Sequence, residues 1–359
     1  MKTKHLLLAA LLATLAAALS GPRPAWAETN VRVGWCARTI SSAAAPFAIA
    51  TKMGWFAQDG ISVQLLPLPG STDCTTQVAT HGVMASLPSV EPVALIRPQG
   101  VNIRTFYTAY QGNIYGIAVP QDSPIRQIGD LKGKKIGVIS MASGGVLVAR
   151  GLVSAHGMDP DQDVTIVVAG EGAQTAALLR SKQVDALSQF DTQYALVENA
   201  GAPLRFLDTQ DIDRFPSNGF IALEETLKSN KKELVALARG YARGTVFAIN
   251  NPEAAIRILW EVYPQTKATG KDEATAMRDD IKTLMARAAN WDLKKAGAKR
   301  WGENVEANYQ AYMEFLYKWK VIKEMVAAKD IITNDWIDEI NAFDSKRLAA
   351  DAKAYRYQP

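Results

Sequence analysis

The sequence predicts an α/β fold: two successive strand–helix units followed by a long helical region. Three observations carry that prediction. Short apolar runs bounded by Gly and Pro alternate with helix-period segments from Val31 to Val119. The alternation restarts after the polar turn Asp130-Leu131-Lys132-Gly133-Lys134-Lys135 and continues to Leu187. From Leu223 onward helical periodicity takes over.

The elements follow in order. Val31-Arg32-Val33-Gly34-Trp35 reads as a strand, with Trp35 assigned to the core. Residues 43–52 read as a helix ended by Gly54, and residues 62–66 as a second strand broken by Pro67, Pro69 and Gly70. Residues 73–80 form the next helix, with Ser71 or Thr72 as its N-cap. Residues 101–107 and 115–119 are further strands. This rhythm implies a parallel or mixed sheet with helices on both faces. In the second unit, residues 136–139 are a buried strand and Ser140-Met141-Ala142-Ser143-Gly144-Gly145 a loop of mostly small residues. A helix over 146–156, ended by Gly157, a strand over 164–168, a helix over 173–181 and a strand over 184–187 complete it. Helices are then expected over 233–250, 252–261, 271–289, 303–319 and 335–351, with Pro252 in a first helical turn. No internal repeat or low-complexity linker is present.

The N-terminus reads as an export leader. Lys2 and Lys4 make a short basic region, residues 6–19 hold only Thr14 as a polar break, and Ala25-Trp26-Ala27 puts small residues at the cleavage-defining positions. The apolar run is shorter than the ~20 residues a membrane span needs, so cleavage after Ala27 is expected; a retained anchor is the alternative. With no Cys near the end of this run, no lipid anchor is expected. Cleavage removes Lys2, Lys4 and Arg23 and no acid, turning 40 basic against 36 acidic residues into 37 against 36. So small a charge argues against a nucleic-acid partner. A charged fraction of 21% with 11 Tyr, 10 Phe and 8 Trp excludes intrinsic disorder, and 359 residues suit two domains.

Two cysteines are too few for a disulfide-stapled scaffold, a Cys-rich zinc site or an iron–sulfur cluster. In an oxidising compartment Cys36 and Cys74 are expected to pair, closing a loop worth roughly 4 kcal/mol in the chain-entropy model. Two buried free thiols are the alternative. Phosphate-loop, dinucleotide, zinc-protease and nucleophile-elbow signatures are absent or out of context, so no metal and no cofactor are expected. His81 and His156 read as surface or core residues, and His156 suits a helix C-terminus.

Three segments carry a family resemblance. They are Met53-Gly54-Trp55-Phe56-Ala57-Gln58-Asp59-Gly60-Ile61-Ser62-Val63, Asp130-Leu131-Lys132-Gly133-Lys134-Lys135-Ile136-Gly137-Val138, and Gly240-Tyr241-Ala242-Arg243-Gly244 running into Asn251-Pro252-Glu253-Ala254-Ala255. In this order behind a leader, the chain resembles the substrate-binding proteins of bacterial ABC importers, in the group that binds nitrate, taurine, alkanesulfonates and thiamine pyrimidines. The likeness covers residues 31–265. It implies a two-lobe periplasmic binding protein of type II-like topology: hinge-linked, doubly wound lobes with a helical C-terminal region, closing on a ligand. It places the crossovers near residues 114–119 and 215–221, so that lobe one is residues 28–117 plus 219–359 and lobe two is residues 118–218. It also places Cys36 and Cys74 at the ends of neighbouring strands, beside the cleft.

In open α/β sheets, ligands sit beyond the carboxyl ends of strands, where helix N-termini present unpaired N–H groups. In lobe one this selects Arg38, Thr39, Ser71, Thr72 and Ser89, with Tyr110 and Asn113 at the approach to the hinge. In lobe two it selects Ser140, Met141, Ser143, Gly144, Gly145, Glu171, Gln189, Phe190 and Asp191. Each has a plainer reading: the Ser, Thr and acidic residues as helix caps, Arg38 as solvated surface, Tyr110 and Phe190 as core. As ligand contacts, Arg38 would meet an anion, Glu171 and Asp191 would accept from donors, and Tyr110 and Phe190 would stack on a ring.

The expected function is non-enzymatic capture of a small organic solute, a planar organic acid, sulfonate or heterocycle, for a membrane permease with its ATPase. The resemblance implies a periplasmic monomer. One alternative is an enzyme like the thiamine-pyrimidine synthase that shares the fold, though the lack of that family's cysteine cluster and the export context speak against it. The other is a ligand-sensing adaptor for a membrane receptor.

Overall fold

The computed structural model describes residues 28–209 and 212–358. The expected leader, residues 1–27, lies outside them. Two five-stranded sheets form the frame. The first holds β1 (Thr29–Trp35), β2 (Ile61–Pro67), β3 (Ala85–Ser86), β4 (Ile103–Thr108) and β10 (Gly219–Leu223), in the order β2-β1-β3-β10-β4. The second holds β5 (Ala118–Pro120), β6 (Lys134–Val138), β7 (Val164–Val168), β8 (Ala186–Leu187) and β9 (Leu204–Phe206), in the order β7-β6-β8-β5-β9.

The alternation read at Val31–Trp35 is a half-buried strand, parallel to β2 from Thr29↔Ile61 to Trp35↔Pro67. In each sheet a single strand runs against the rest. β10 is antiparallel to β3 and β4, and β5 is antiparallel to β8 and β9. Each is the first strand laid down after the chain changes sheets. Residues 109–117 carry it from β4 to β5, and the segment after β9 returns it to β10.

Helices cover both sheets. Those within the strand-bearing part are α1 (Ala45–Lys52), α2 (Ser71–Ala79), α3 (Val90–Ile96), α4 (Gly144–Ala155), α5 (Ala173–Arg180) and α6 (Asp191–Asn199). The later region supplies α7 (Lys231–Asn250), α8 (Pro252–Val262), α9 (Glu273–Ala288), α10 (Glu306–Lys318) and α11 (Ser345–Ala354). The Gly240-x-x-x-Gly244 pair lets α7 lie directly on the α1 region. A Cβ at Gly244 would fall 2.1 Å from the Pro46 carbonyl oxygen, and one at Gly240 2.2 Å from the Phe56 ring. Over this contact Phe47, Phe220 and Tyr241 form an edge-to-face cluster, with Phe47 and Tyr241 centroids 4.9 Å apart. Asn251 caps α8 by accepting from the Ala254 N–H, and Pro252 sits in its first turn. Helix α9 straps the two sides together. It packs on α8, while the Asn199 side chain donates to the Asp279 carbonyl at 3.0 Å and Lys282 pairs with Glu198 at 2.8 Å.

Several expectations need correction. Residues 335–351 are not one helix: a short turn, Ile337–Ile340, precedes α11, and the Asp344 carboxylate caps α11 by accepting from the Lys346 and Arg347 N–H groups. Helix α2 begins at Ser71 behind Gly70, so neither Ser71 nor Thr72 is its cap. The strand expected over 115–119 is Ala118–Pro120, and Tyr115 instead makes an isolated bridge to Phe190. Helix α3, flanked by Pro88 and interrupted by Pro92, and the short β3 and β9 carried no readable sequence signal. No helix among the described residues is long and apolar enough to cross a membrane.

Candidate functional site

The loops that follow β1, β3, β6, β7 and β8 face one another, as the geometry of open parallel sheets requires. Between them lies a cavity of about 30 Å3, room for a water or two in this closed arrangement. Four rings line it: Trp35, Tyr110, Tyr115 and Phe190. Trp35 is buried as expected, yet it forms a cavity wall, with its indole N–H donating to the Thr39 carbonyl at 2.8 Å. Tyr115 and Phe190 meet edge to face at 6.0 Å.

The cavity's charged group is Arg287, at the end of α9. Its guanidinium lies 3.8 Å over the Tyr110 ring, and its Nε and Nη2 donate to the Asp191 carboxylate at 2.6–3.0 Å. Asn290 donates to the same carboxylate at 3.0 Å. Burial disfavours the guanidinium charge, and the Asp191 carboxylate more than offsets this, raising the Arg287 pKa above its ordinary value. Thr192, fully buried at the cavity wall, has a hydroxyl with no hydrogen-bond partner in the protein.

Around the cavity the two sheets clasp each other. The Glu171 carboxylate, from the second sheet, accepts the Arg38 N–H at 3.1 Å and the Thr39 hydroxyl. Gln189 supports that loop by donating to the Gly170 carbonyl at 3.1 Å. On the other side of the mouth, Ser140 donates to the Pro69 carbonyl at 2.7 Å and the Thr72 N–H to the Ala142 carbonyl at 3.0 Å. The fit is tight. A Cβ at Gly70 would fall 2.4 Å from the Ala142 oxygen, and one at Gly144 2.3 Å from Ser89 Oγ. The Cys36–Cys74 disulfide, with Cα atoms 5.7 Å apart, ties the β1 loop to α2, and Cys36 lines the cavity.

Of the candidates read from sequence, Tyr110 and Phe190 thus reach the cavity itself. Thr39, Thr72, Ser140 and Glu171 form the clasp. The Arg38 side chain is exposed, and only its main chain takes part, so its guanidinium does not join the cavity wall. Ser143 caps α4 by accepting from the Gly145 N–H at 3.1 Å, and Gly145 packs on the Ser188 carbonyl. Ser71 accepts from the Ser89 N–H, Asn113 is bonded to the Tyr115 main chain, and Met141 lies exposed at 58%. Asp191 is present but already engaged by Arg287. Sequence reading missed Arg287, Tyr115 and Thr192, and also Asn218, which lines the cavity and donates to the Leu87 carbonyl at 2.8 Å. Arg287 had one signal: it lies three residues after the buried Leu284, on the apolar face of its helix.

Glu91, in the first turn of α3, is a fully buried acid. Tyr312 donates to its Oε1, Ser89 stands beside it, and Oε2 has no partner. Burial raises its pKa above 4.5. Folding therefore favours the protonated acid. Its contribution is full below 4.5 and is lost as the pH rises through the folded-state value. Glu91→Gln, which copies the protonated form, should raise the melting temperature at pH 7 by a few degrees, with the gain vanishing as the pH falls toward 4.5. A gain that persists unchanged in acid would refute this reading.

A family model described as NMT1/THI5 like matches residues 41–255. The riboflavin-binding protein RibY of Chloroflexus aurantiacus is 27% identical over 227 residues, 62% of this chain. The match spans 64% of that relative's own length. Among solved structures, the alkanesulfonate-binding protein SsuA of Xanthomonas axonopodis pv. citri, bound to MOPS, superposes with a TM-score of 0.62 at 16% identity, covering 87% of this chain and 99% of that one. The nitrate-binding protein NrtA of Synechocystis PCC 6803 gives a TM-score of 0.61 at 15% identity, covering 90% and 89%. The chain shares their periplasmic binding protein fold.

Proposed function

The chain belongs to the NMT1/THI5-like family, and from that premise we propose that it is the solute-binding component of an ABC importer. Its two sheets act as two lobes, residues 28–117 plus 219–359 and residues 118–218, hinged at the two crossings. The lobes close on a small organic solute in the periplasm, after cleavage of the leader, and a monomer presents the closed form to a membrane permease.

The observation that carries this reading is the clasp. Glu171, Ser140 and Ala142 of one lobe bond Arg38, Thr39, Pro69 and Thr72 of the other around a ring-lined cavity. These contacts exist only when the lobes meet, and the cavity is too small for an organic molecule to enter without their parting. The solute is a planar organic acid, a sulfonate or a heterocycle, because four aromatic rings bound the space. A relative named for riboflavin, itself a planar heterocycle, supports that class. Against a synthase-like enzyme, both cysteines are joined in a disulfide, which leaves no thiol for nucleophilic chemistry.

Native mass spectrometry of freshly purified protein, with a thermal-shift panel of sulfonates, aromatic carboxylates, pyrimidines, flavins and nitrate, tests the proposal. A co-purified aromatic mass or stabilisation by a planar compound is expected. Stabilisation by nitrate alone would overturn the solute class, and turnover of any panel compound would overturn the non-enzymatic reading.

A further inference from the structure

We propose that Asp191 sets the charge class of the solute: by neutralising Arg287 it makes the cavity select an uncharged planar ring over the matching anion. This rests on the solute-binding reading above and narrows it. An Arg lining a cavity usually signals an anion, but here the guanidinium is already matched. Its Nε and Nη2 donate to Asp191, and its face is stacked on Tyr110. The Asn290 amide fixes the carboxylate from the other side.

The helix end gives the same answer. Helix α6 points its N-terminus at this space, where its dipole would favour an anion, but Asp191 occupies the first turn and cancels that attraction. An incoming carboxylate or sulfonate would leave the closed cavity with one unbalanced negative charge, a costly arrangement away from water. A neutral ring keeps the balance, stacks among the aromatic walls, and offers a heteroatom or carbonyl to the buried, unpartnered Thr192 hydroxyl.

Benzamide, benzoate and benzenesulfonate share a ring and differ in charge, so their dissociation constants, measured by ligand-observed NMR, read the assignment directly. Wild type is expected to bind benzamide at least tenfold more tightly than either anion. Asp191→Asn, which keeps the shape and frees the Arg287 charge, is expected to bind the two anions at least tenfold more tightly than wild type does. The doubly neutral variant, Asp191→Asn with Arg287→Gln, is expected to restore the preference for benzamide and keeps the test available if the single variant fails to fold. Wild-type binding of benzoate or benzenesulfonate as tight as that of benzamide would overturn the charge assignment and leave the solute-binding reading standing. Failure of all three to bind wild type, together with no co-purified solute, would remove both.

Discussion

Gly70→Val is expected to bind solute at least tenfold more weakly than wild type, a loss of about 1.4 kcal/mol, while melting at nearly the same temperature. Gly70 has an extended backbone, φ 176°, which any residue adopts, so a side chain there brings no local strain. The obstacle lies across the cleft. The first added carbon would sit 2.4 Å from the Ala142 carbonyl oxygen and 2.7 Å from the Ser143 nitrogen. Those atoms belong to the Ser140–Ser143 loop that follows β6 of the second sheet, whose bonds to Pro69 and Thr72 close the mouth. The wedge therefore opposes closure without disturbing either sheet. Calorimetric titration with the compound that most stabilises wild type checks the prediction, and an unchanged affinity would show that closure is not what holds the solute.

Arg287→Ala is expected to do the opposite kind of damage, lowering stability by about 3–5 kcal/mol and abolishing binding. It strips a carboxylate that is only 10% exposed of its bidentate partner, and it removes the plate that covers Tyr110. Thermal unfolding should show a fall on the order of 10 °C. Replacing both members of the pair by neutral amides should recover most of that loss, because no charge is then left unpaired. If Arg287→Ala melts like wild type, the pair is not the structural centre assigned to it here.

The same pair shows where sequence reading stops. The β1 alternation, the Gly that ends α1 and the small-residue turn before α4 are local signals, and the chain folds as they suggest. Arg287 and Asp191 lie 96 residues apart, and nothing in either neighbourhood names the other. The antiparallel placement of β5 and β10 is likewise a consequence of two long-range crossings and carries no local pattern. Glu171 was legible as a cleft residue because it follows a strand. That its oxygens meet Thr39 and Arg38 rather than a ligand depends on the facing loop of the other sheet, which periodicity cannot supply. Helix 335–351 was over-extended because Asp344 reads as one more polar face residue until its carboxylate is seen capping α11.

Small-angle scattering reads whether two lobes close around a solute. With the compound that stabilises it best, wild type should contract on saturation, and Gly70→Val, at matched occupancy, should contract less or not at all. Equal radii of gyration for wild type with and without a saturating ligand would rule out closure on the solute.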